Sequence, residues 1–318
     1  MNEQTRQQLL EKLRLSIPKK QIHENVPMSR FTTLRLGGPA DVLAQPSTVE
    51  EIAASLSAAA ALDVPVTIIG KGSNVLVRDG GVRGLVIHIG EHFARISDPV
   101  PLPDGRSAIT AQGGAALIAL ANAAAEHGLQ GLEFAGGIPG TVGGGVYMNA
   151  GAYGGEMSQV VTLVEGYDLA GVPFQYNHYE MDFRHRHTRL MEENKLITHV
   201  TFQLHPGKRE DLLAEMVDFN TRRAEKQPLT QFSAGSTFKR PANGYASAMI
   251  DQCGLKGFTI GGAQVSEKHA GFCINKGGTT ADFLALMAHV QQAVQEKYDT
   301  LLEPEVRILG EDAAVTEA

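Results

Sequence analysis

The chain has 318 residues, of which 43% are hydrophobic and 20% charged, with a formal net charge of −7. This is the composition of a soluble globular protein with room for two or three domains, and its acidic balance argues against a nucleic-acid partner, which usually demands a basic excess. No apolar run is long enough to cross a bilayer, and the start, Met1 to Leu10, lacks the apolar core of a signal peptide. Cys253 and Cys273 are the only cysteines. They are too few for a disulfide scaffold and have no metal-ligand spacing. A reducing cytoplasm is the expected compartment, with no membrane partner, no metal and no obligate protein partner.

In chain order, Leu9, Leu10, Leu13 and Leu15 recur at helical spacing among charged residues and predict an amphipathic helix over 2–16. A short strand is expected over 40–44. A helix then runs to about Ala61, capped by Ser47 with Glu50 three residues on. Residues 64–69 read as a buried strand. Gly70-Lys71-Gly72-Ser73-Asn74 follows, and β-branched residues resume at once with Val75-Leu76-Val77. A Rossmann fingerprint needs its glycines to open a helix. This turn can therefore bind phosphate through its amides, but not in the Rossmann manner. Further strands are expected over 82–89 and 108–112, separated by a proline-bearing loop at 99–106. An alanine-rich helix over 117–127 is closed by Gly128.

The densest stretch follows, from Phe134 to Glu156, with nine glycines: Gly136, Gly137, Gly140, Gly143, Gly144, Gly145, Gly151, Gly154 and Gly155. So many residues without a Cβ predict neither a stable helix nor a plain strand. They suggest backbone amides crowded against something flat or anionic, or else a tight turn between core elements. Ile138, Val142, Val146 and Met148 between them predict that the segment is buried rather than a linker. Beyond it come a hairpin over 160–176, a strand over 196–204 and a helix over 211–226. The last third carries a polar serine-bearing loop, Phe232 to Pro241, then a helix over 246–253. Short strands follow within 258–265 and 271–275, then a long helix over 280–301 and a terminal strand over 303–309.

Three places carry candidate chemistry. In Asp182-Phe183-Arg184-His185-Arg186-His187, an extended backbone puts both arginines on one face. Such a pair suits a bound anion or is a solvated basic edge strand. The nearby histidines lack a carboxylate or cysteine to complete a metal set. Ser236, in Ala234-Gly235-Ser236-Thr237-Phe238, has no nucleophile elbow. It reads as a turn serine or a proton donor. Glu305 says nothing alone.

Taken in order, T-T-L-R-L-G-G-P-A, I-G-K-G-S-N-V-L-V, G-I-P-G-T-V-G-G-G-V-Y-M-N-A-G-A-Y-G-G-E, A-G-S-T-F-K-R-P, G-G-A-Q-V-S-E-K-H-A-G-F-C-I-N and E-P-E-V-R-I-L-G resemble the UDP-N-acetylenolpyruvoylglucosamine reductase family over roughly residues 20–310. The resemblance implies an α+β protein: a two-subdomain FAD-binding fold of the vanillyl-alcohol-oxidase type plus a C-terminal α+β substrate-binding domain. The divisions expected are an N-terminal helix at 1–20, FAD-binding subdomains at 21–98 and 99–206, and the substrate domain at 207–318.

The resemblance implies FAD, NADPH as electron donor and a UDP-sugar substrate in peptidoglycan precursor synthesis. No His or Cys lies in the glycine stretch to tether the flavin, so non-covalent FAD is expected. The cofactor candidates are Gly70, Lys71, Gly72, Ser73, Asn74, Ile138, Pro139, Gly140, Gly143, Gly144, Asn149, Gly151, Ala152 and Tyr153, with the pyrophosphate against the amides of Gly70 to Asn74 and of Ile138 to Gly144. The family's catalytic arginine, serine and glutamate match Arg184, Ser236 and Glu305. Arg184 would stabilise charge developing on the substrate carboxylate, Glu305 would hydrogen-bond it when protonated, and Ser236 would deliver the proton. Phe183 and Arg186 stand where the family often has tyrosine and serine. No insertion follows that could carry a lid, which matches the shorter, second type of the family. An oxygen-using oxidase on the same flavin fold and a non-catalytic flavin binder are the other readings.

Overall fold

The computed structural model describes residues 1–313. Two compact units interleave along the chain. The first comprises Met1–Glu24, Val42–Lys71 and Gly84–Arg222; the second comprises Asn25–Asp41, Gly72–Arg83 and the chain from Arg223 onward.

In the first unit the helix Glu3–Arg14 starts at Asn2, whose side chain accepts from Thr5 N at 2.8 Å. It buries Leu9, Leu10 and Leu13, whereas Leu15 is the C-cap and 87% exposed. The apolar stripe is thus one residue shorter than its sequence pattern. The helix Val49–Ala60 is capped by Thr48, not Ser47: Thr48 Oγ1 accepts from Glu51 N at 3.2 Å. The Ser47 hydroxyl is taken up by Gln21 Nε2 instead, and Ser47 N donates to the Glu51 carboxylate at 2.6 Å. Both helices pack into a core with the strands Val66–Ile69 and Val82–His88, which pair in parallel with Ile69 opposite His88.

The rest of this unit is an antiparallel sheet, in the order Pro173–Asn177, Val161–Tyr167, Leu196–Pro206, Ser107–Gln112, Val100–Pro101. The helix Leu117–Glu126 packs with it in a shared core, and Gly128 follows at φ +65°, the left-handed closure expected of it.

The glycine stretch corrects an expectation. It does contain a helix, Val142–Tyr147, whose N-cap Thr141 accepts from Gly144 N at 3.3 Å. Val142 and Val146 are fully buried one turn apart. Its glycines serve close packing: a Cβ on Gly145 would lie 2.8 Å from Leu117 Cδ1, and one on Gly143 would lie 3.1 Å from Gly113 O. Lost propensity is offset by the approach of two elements that side chains would hold apart.

In the second unit the antiparallel strands Phe232–Ser233, Cys273–Asn275, Ala263–Val265 and Thr259–Ile260 form one sheet. The helices Ala246–Gln252 and Thr280–Tyr298 share its core with Leu34, Leu36 and Leu76. The strand Arg307–Leu309 pairs in parallel with Val75–Val77. The terminal strand therefore starts at Arg307 rather than at Glu303. The preceding residues instead form an antiparallel bridge between Phe238 and Pro304.

Candidate cofactor and catalytic site

The turn Gly70–Asn74 is built around five successive amides. Among the described residues, the backbone N–H groups of Gly70, Lys71, Gly72, Ser73 and Asn74 donate to no protein acceptor. Gly72 is buried and Gly70, Ser73 and Asn74 are half-buried, where most amides are paired, so the run presents donors of the kind that suit an anion. Close packing holds the turn in shape. A Cβ on Gly72, at φ +64°, would lie 2.0 Å from Phe31 O, and one on Gly70 would lie 2.4 Å from Thr141 Oγ1. Thr33 N donates to Gly72 O at 3.1 Å, and Thr33 Oγ1 donates to Ser233 O at 2.6 Å. The motif around Thr33 thus serves as scaffold for this turn.

The second glycine segment meets the first at Gly70 and Thr141, but its amides are mostly committed. Ile138 N donates to Ala135 O at 3.0 Å, Gly140 N to Ile138 O at 2.9 Å and Gly143 N to Gly113 O at 2.8 Å. Gly144 N is taken by the Thr141 cap, and Pro139 has no N–H. The amide that remains is Thr141 N–H, buried and with no acceptor among the described residues. Thr141 was not singled out from sequence. Its signal was present as a cap-forming residue just before a valine-bearing turn.

Four other cofactor candidates, Asn149, Gly151, Ala152 and Tyr153, also make contacts within the protein. Asn149, buried at φ +43°, accepts from Ser158 N at 2.9 Å and donates to Arg184 O at 3.0 Å. Tyr153 stacks on Phe219 with centroids 4.3 Å apart, and its hydroxyl donates to Phe219 O at 3.1 Å. Gly151 O accepts from the Arg186 guanidinium at 3.1 Å, and Gly151–Ala152 pairs with Gly155–Glu156 in a two-residue hairpin.

The segments bearing Ser236 and Glu305 are brought together within the second unit. Glu305 N donates to Thr237 O at 2.9 Å, and Lys239 N donates to Glu303 O at 2.8 Å across the Phe238–Pro304 bridge. Ser236 is exposed and Glu305 half-buried. Gly235, at φ +75°, turns the chain just before Ser236. Thr237 anchors the pair from below: it is buried, its Oγ1 accepts from Cys273 N at 2.9 Å, and its N–H donates to Gly271 O at 2.9 Å. Asn74 closes the link to the nest. Its Nδ2 donates to Glu305 O at 3.2 Å, and its carbonyl accepts from Arg307 N at 3.0 Å. The end of the Gly70–Asn74 turn is therefore stitched to the segment bearing Glu305.

Arg184 lies in the first unit, in a turn rather than the extended strand its spacing suggested. Asp182 and Arg186 both have positive φ, +46° and +53°, and Arg184 and His187 exchange backbone hydrogen bonds at 3.0 and 3.1 Å. The two guanidiniums consequently diverge. Arg184 pairs with the Asp182 carboxylate, which holds it above the ordinary arginine range, whereas Arg186 reaches the carbonyl of Gly151.

Two family models match the chain: an FAD binding domain over residues 40–170, and the UDP-N-acetylenolpyruvoylglucosamine reductase C-terminal domain over residues 227–309. The UDP-N-acetylenolpyruvoylglucosamine reductase of Clostridium botulinum strain Hall is 47% identical over 287 residues, 90% of this chain and 92% of that protein. That of Pediococcus pentosaceus is 44% identical over 93% of this chain and 97% of its own. This chain belongs to the UDP-N-acetylenolpyruvoylglucosamine reductase family. A crystal structure of the reductase from Thermus caldophilus, 33% identical, superposes with a TM-score of 0.77 and covers 90% of this chain and 98% of its own.

The protein is thus an FAD-dependent oxidoreductase of α+β fold, as its motifs implied. The residues present suit FAD. The five unpaired amides of Gly70–Asn74 offer a donor set for a pyrophosphate, and glycine is enforced at positions 70 and 72 by close contacts.

Proposed function

We propose that this protein reduces UDP-N-acetylglucosamine enolpyruvate to UDP-N-acetylmuramate, with NADPH as electron donor and non-covalent FAD as carrier, in the cytoplasm. The observation that carries the reading is the pairing of the Ser236 and Glu305 segments, with Asn74 tying Glu305 to the amide nest. The reaction serves peptidoglycan precursor synthesis, and through it cell shape and division. It needs a small-molecule UDP-sugar and no nucleic-acid, membrane or obligate protein partner.

Bound FAD, once reduced by NADPH, would supply the hydride that the enolpyruvyl group takes up. Ser236 Oγ–H delivers a proton to the carbon of that group where negative charge gathers. Arg184 is the cation for the substrate carboxylate into which that charge spreads. Its backbone is held by Asn149 and its guanidinium steadied by Asp182. Glu305 supplies a carboxyl group to the same carboxylate, oriented by the Thr237 and Asn74 contacts. Gly70 to Asn74 and Thr141 would hold the FAD pyrophosphate through their amides.

The test separates the two half-reactions. Ser236→Ala should leave flavin reduction by NADPH nearly untouched and slow reoxidation by the sugar nucleotide roughly 10²–10⁴-fold. Ser236→Cys should recover part of that loss. Equal slowing of both halves would make Ser236 structural and remove the proton-donor role.

A further inference from the structure

The turn that carries both arginines, residues 182–187, hangs between two legs of the first unit. One leg is the edge strand Pro173–Asn177, joined to the turn through Met181, whose N–H donates to Asn177 O at 3.3 Å. The other is the short helix Arg189–Glu193. The legs meet once through the backbone, where Arg189 N donates to Met181 O at 2.9 Å. They meet a second time through side chains. The Tyr176 hydroxyl donates to Glu193 Oε2 at 2.8 Å and accepts from Lys195 Nζ at 2.5 Å. Lys195 also pairs with Glu193 at 2.9 Å, and Arg189 Nε donates to the other carboxylate oxygen at 2.6 Å.

Both cations also lie against the tyrosine ring. Arg189 Cζ and Lys195 Nζ are each 4.6 Å from its centroid, and the same ammonium is 4.9 Å from the ring of Phe174. Asn194, at φ +50°, brings Lys195 into the group: a left-handed residue ends the helix and turns the chain back beside Glu193. Burial alone would raise the Glu193 carboxyl. Hydrogen bonds from Lys195, Arg189 and Tyr176 outweigh it and hold the group at about 2, so it is ionised across the neutral range.

Ion pairs at this exposure add little net stability: Glu193 keeps 27% of its side chain in solvent and Arg189 43%. Four groups joined around one hydroxyl instead fix geometry. What they fix is the angle between the legs. The backbone bond between Met181 and Arg189 alone would act as a hinge, and the second tie, from Tyr176 to Glu193, stops it turning. The paired backbone bonds between Arg184 and His187, at 3.0 and 3.1 Å, carry that rigidity to the tip. We propose that the Tyr176, Arg189, Glu193 and Lys195 cluster is a positioning device for the reaction: by clamping both legs of the 182–187 turn, it fixes the guanidinium that the turn presents to the substrate carboxylate. This role rests on the reading of the turn as the source of the substrate's cation.

The experiment follows the two half-reactions of each variant by stopped flow, with FAD content and urea midpoint measured alongside. Glu193→Ala removes the anion at the hub. It should retain FAD and its reduction by NADPH, and slow reoxidation by UDP-N-acetylglucosamine enolpyruvate at least about tenfold, against the roughly 100-fold that a 1 Å misplacement costs. Glu193→Gln keeps an oxygen for Arg189 and Lys195 and should recover the rate to within about threefold of the parent. If Glu193→Ala does not fold, Tyr176→Phe deletes only the hydroxyl that joins the legs and should slow reoxidation at least about threefold. A lowered urea midpoint with unchanged reoxidation would make the cluster purely structural and overturn the proposal. Equal slowing of both half-reactions, or equal loss in the alanine and glutamine variants, would overturn it too. If the parent itself is not reoxidised by the sugar nucleotide, the proposed reaction fails and the positioning role falls with it.

Discussion

The contact between the two glycine segments predicts a specific non-additivity. A Cβ on Gly70 would sit 2.4 Å from Thr141 Oγ1, far inside van der Waals distance, while Thr141 Cβ lies at 3.5 Å. Gly70→Ala should therefore cost about 1–3 kcal/mol of unfolding free energy through overpacking, and it should lower FAD occupancy because it displaces the start of the nest. Thr141→Ala removes the oxygen that caps Gly144 N at 3.3 Å and should cost about 1 kcal/mol. In the double variant the clashing oxygen is gone, and the new methyl meets Thr141's former Cβ at an ordinary distance. The pair should then cost little more than the cap alone, a coupling of about 1–2 kcal/mol in favour of the double variant. Urea unfolding of the four proteins, with FAD content measured after purification, gives the cycle. Strictly additive costs would refute the contact and with it the joining of the two glycine segments.

Three further outcomes follow from the same geometry. Burial lowers His88 from its ordinary 6.5 to about 4, so between those values the unfolded chain binds the extra proton. Stability should rise with pH through that window, by about 3 kcal/mol in all, and His88→Gln should flatten the rise in urea midpoints; an unaltered profile would contradict a neutral buried ring. Asn149→Gly keeps the positive φ but deletes the contacts to Ser158 N and Arg184 O. It should cost about 1–3 kcal/mol and slow reoxidation by the sugar nucleotide with FAD retained, whereas loss of FAD with unchanged turnover per flavin would return Asn149 to the cofactor. Burial pushes the Cys273 thiol up to about 11, while Cys253 is half-buried. A thiol reagent near neutral pH should label one cysteine in the native protein and two after unfolding; rapid native labelling of Cys273 would show that its surroundings open.

Much of this was legible in the sequence, for physical reasons that differ by element. Long periodic helices such as Thr280–Tyr298 and Arg209–Lys226 declare themselves because burial follows the 3.6-residue repeat. The strand-turn-strand order at Gly70 was legible as well, and the structure has it, with Val66–Ile69 before the turn and Val75–Val77 after it. The second glycine stretch was harder to read. Glycine there reports close approach of any kind, and only coordinates show that Gly143 and Gly145 yield space to neighbouring elements while their amides are spent. Arg184 and Arg186 were placed on one face by counting residues, which fails where Asp182 and Arg186 adopt positive φ. Ser47 lost the cap to Thr48 because Gln21, distant in sequence, engages its hydroxyl. Thr237 carried no local signal, since it acts through partners far along the chain.

The central claim is that electrons pass from NADPH through bound FAD to the enolpyruvyl sugar at a site containing Ser236 and Glu305. Anaerobic stopped-flow mixing tests it most directly. Purified protein should be yellow, release free FAD on heat denaturation and lose flavin absorbance when mixed with NADPH. It should regain that absorbance on addition of UDP-N-acetylglucosamine enolpyruvate without oxygen, with one UDP-N-acetylmuramate formed per flavin reoxidised. Flavin that stays bleached until oxygen is admitted, with peroxide formed, would contradict the account and make the protein an oxidase on the same scaffold.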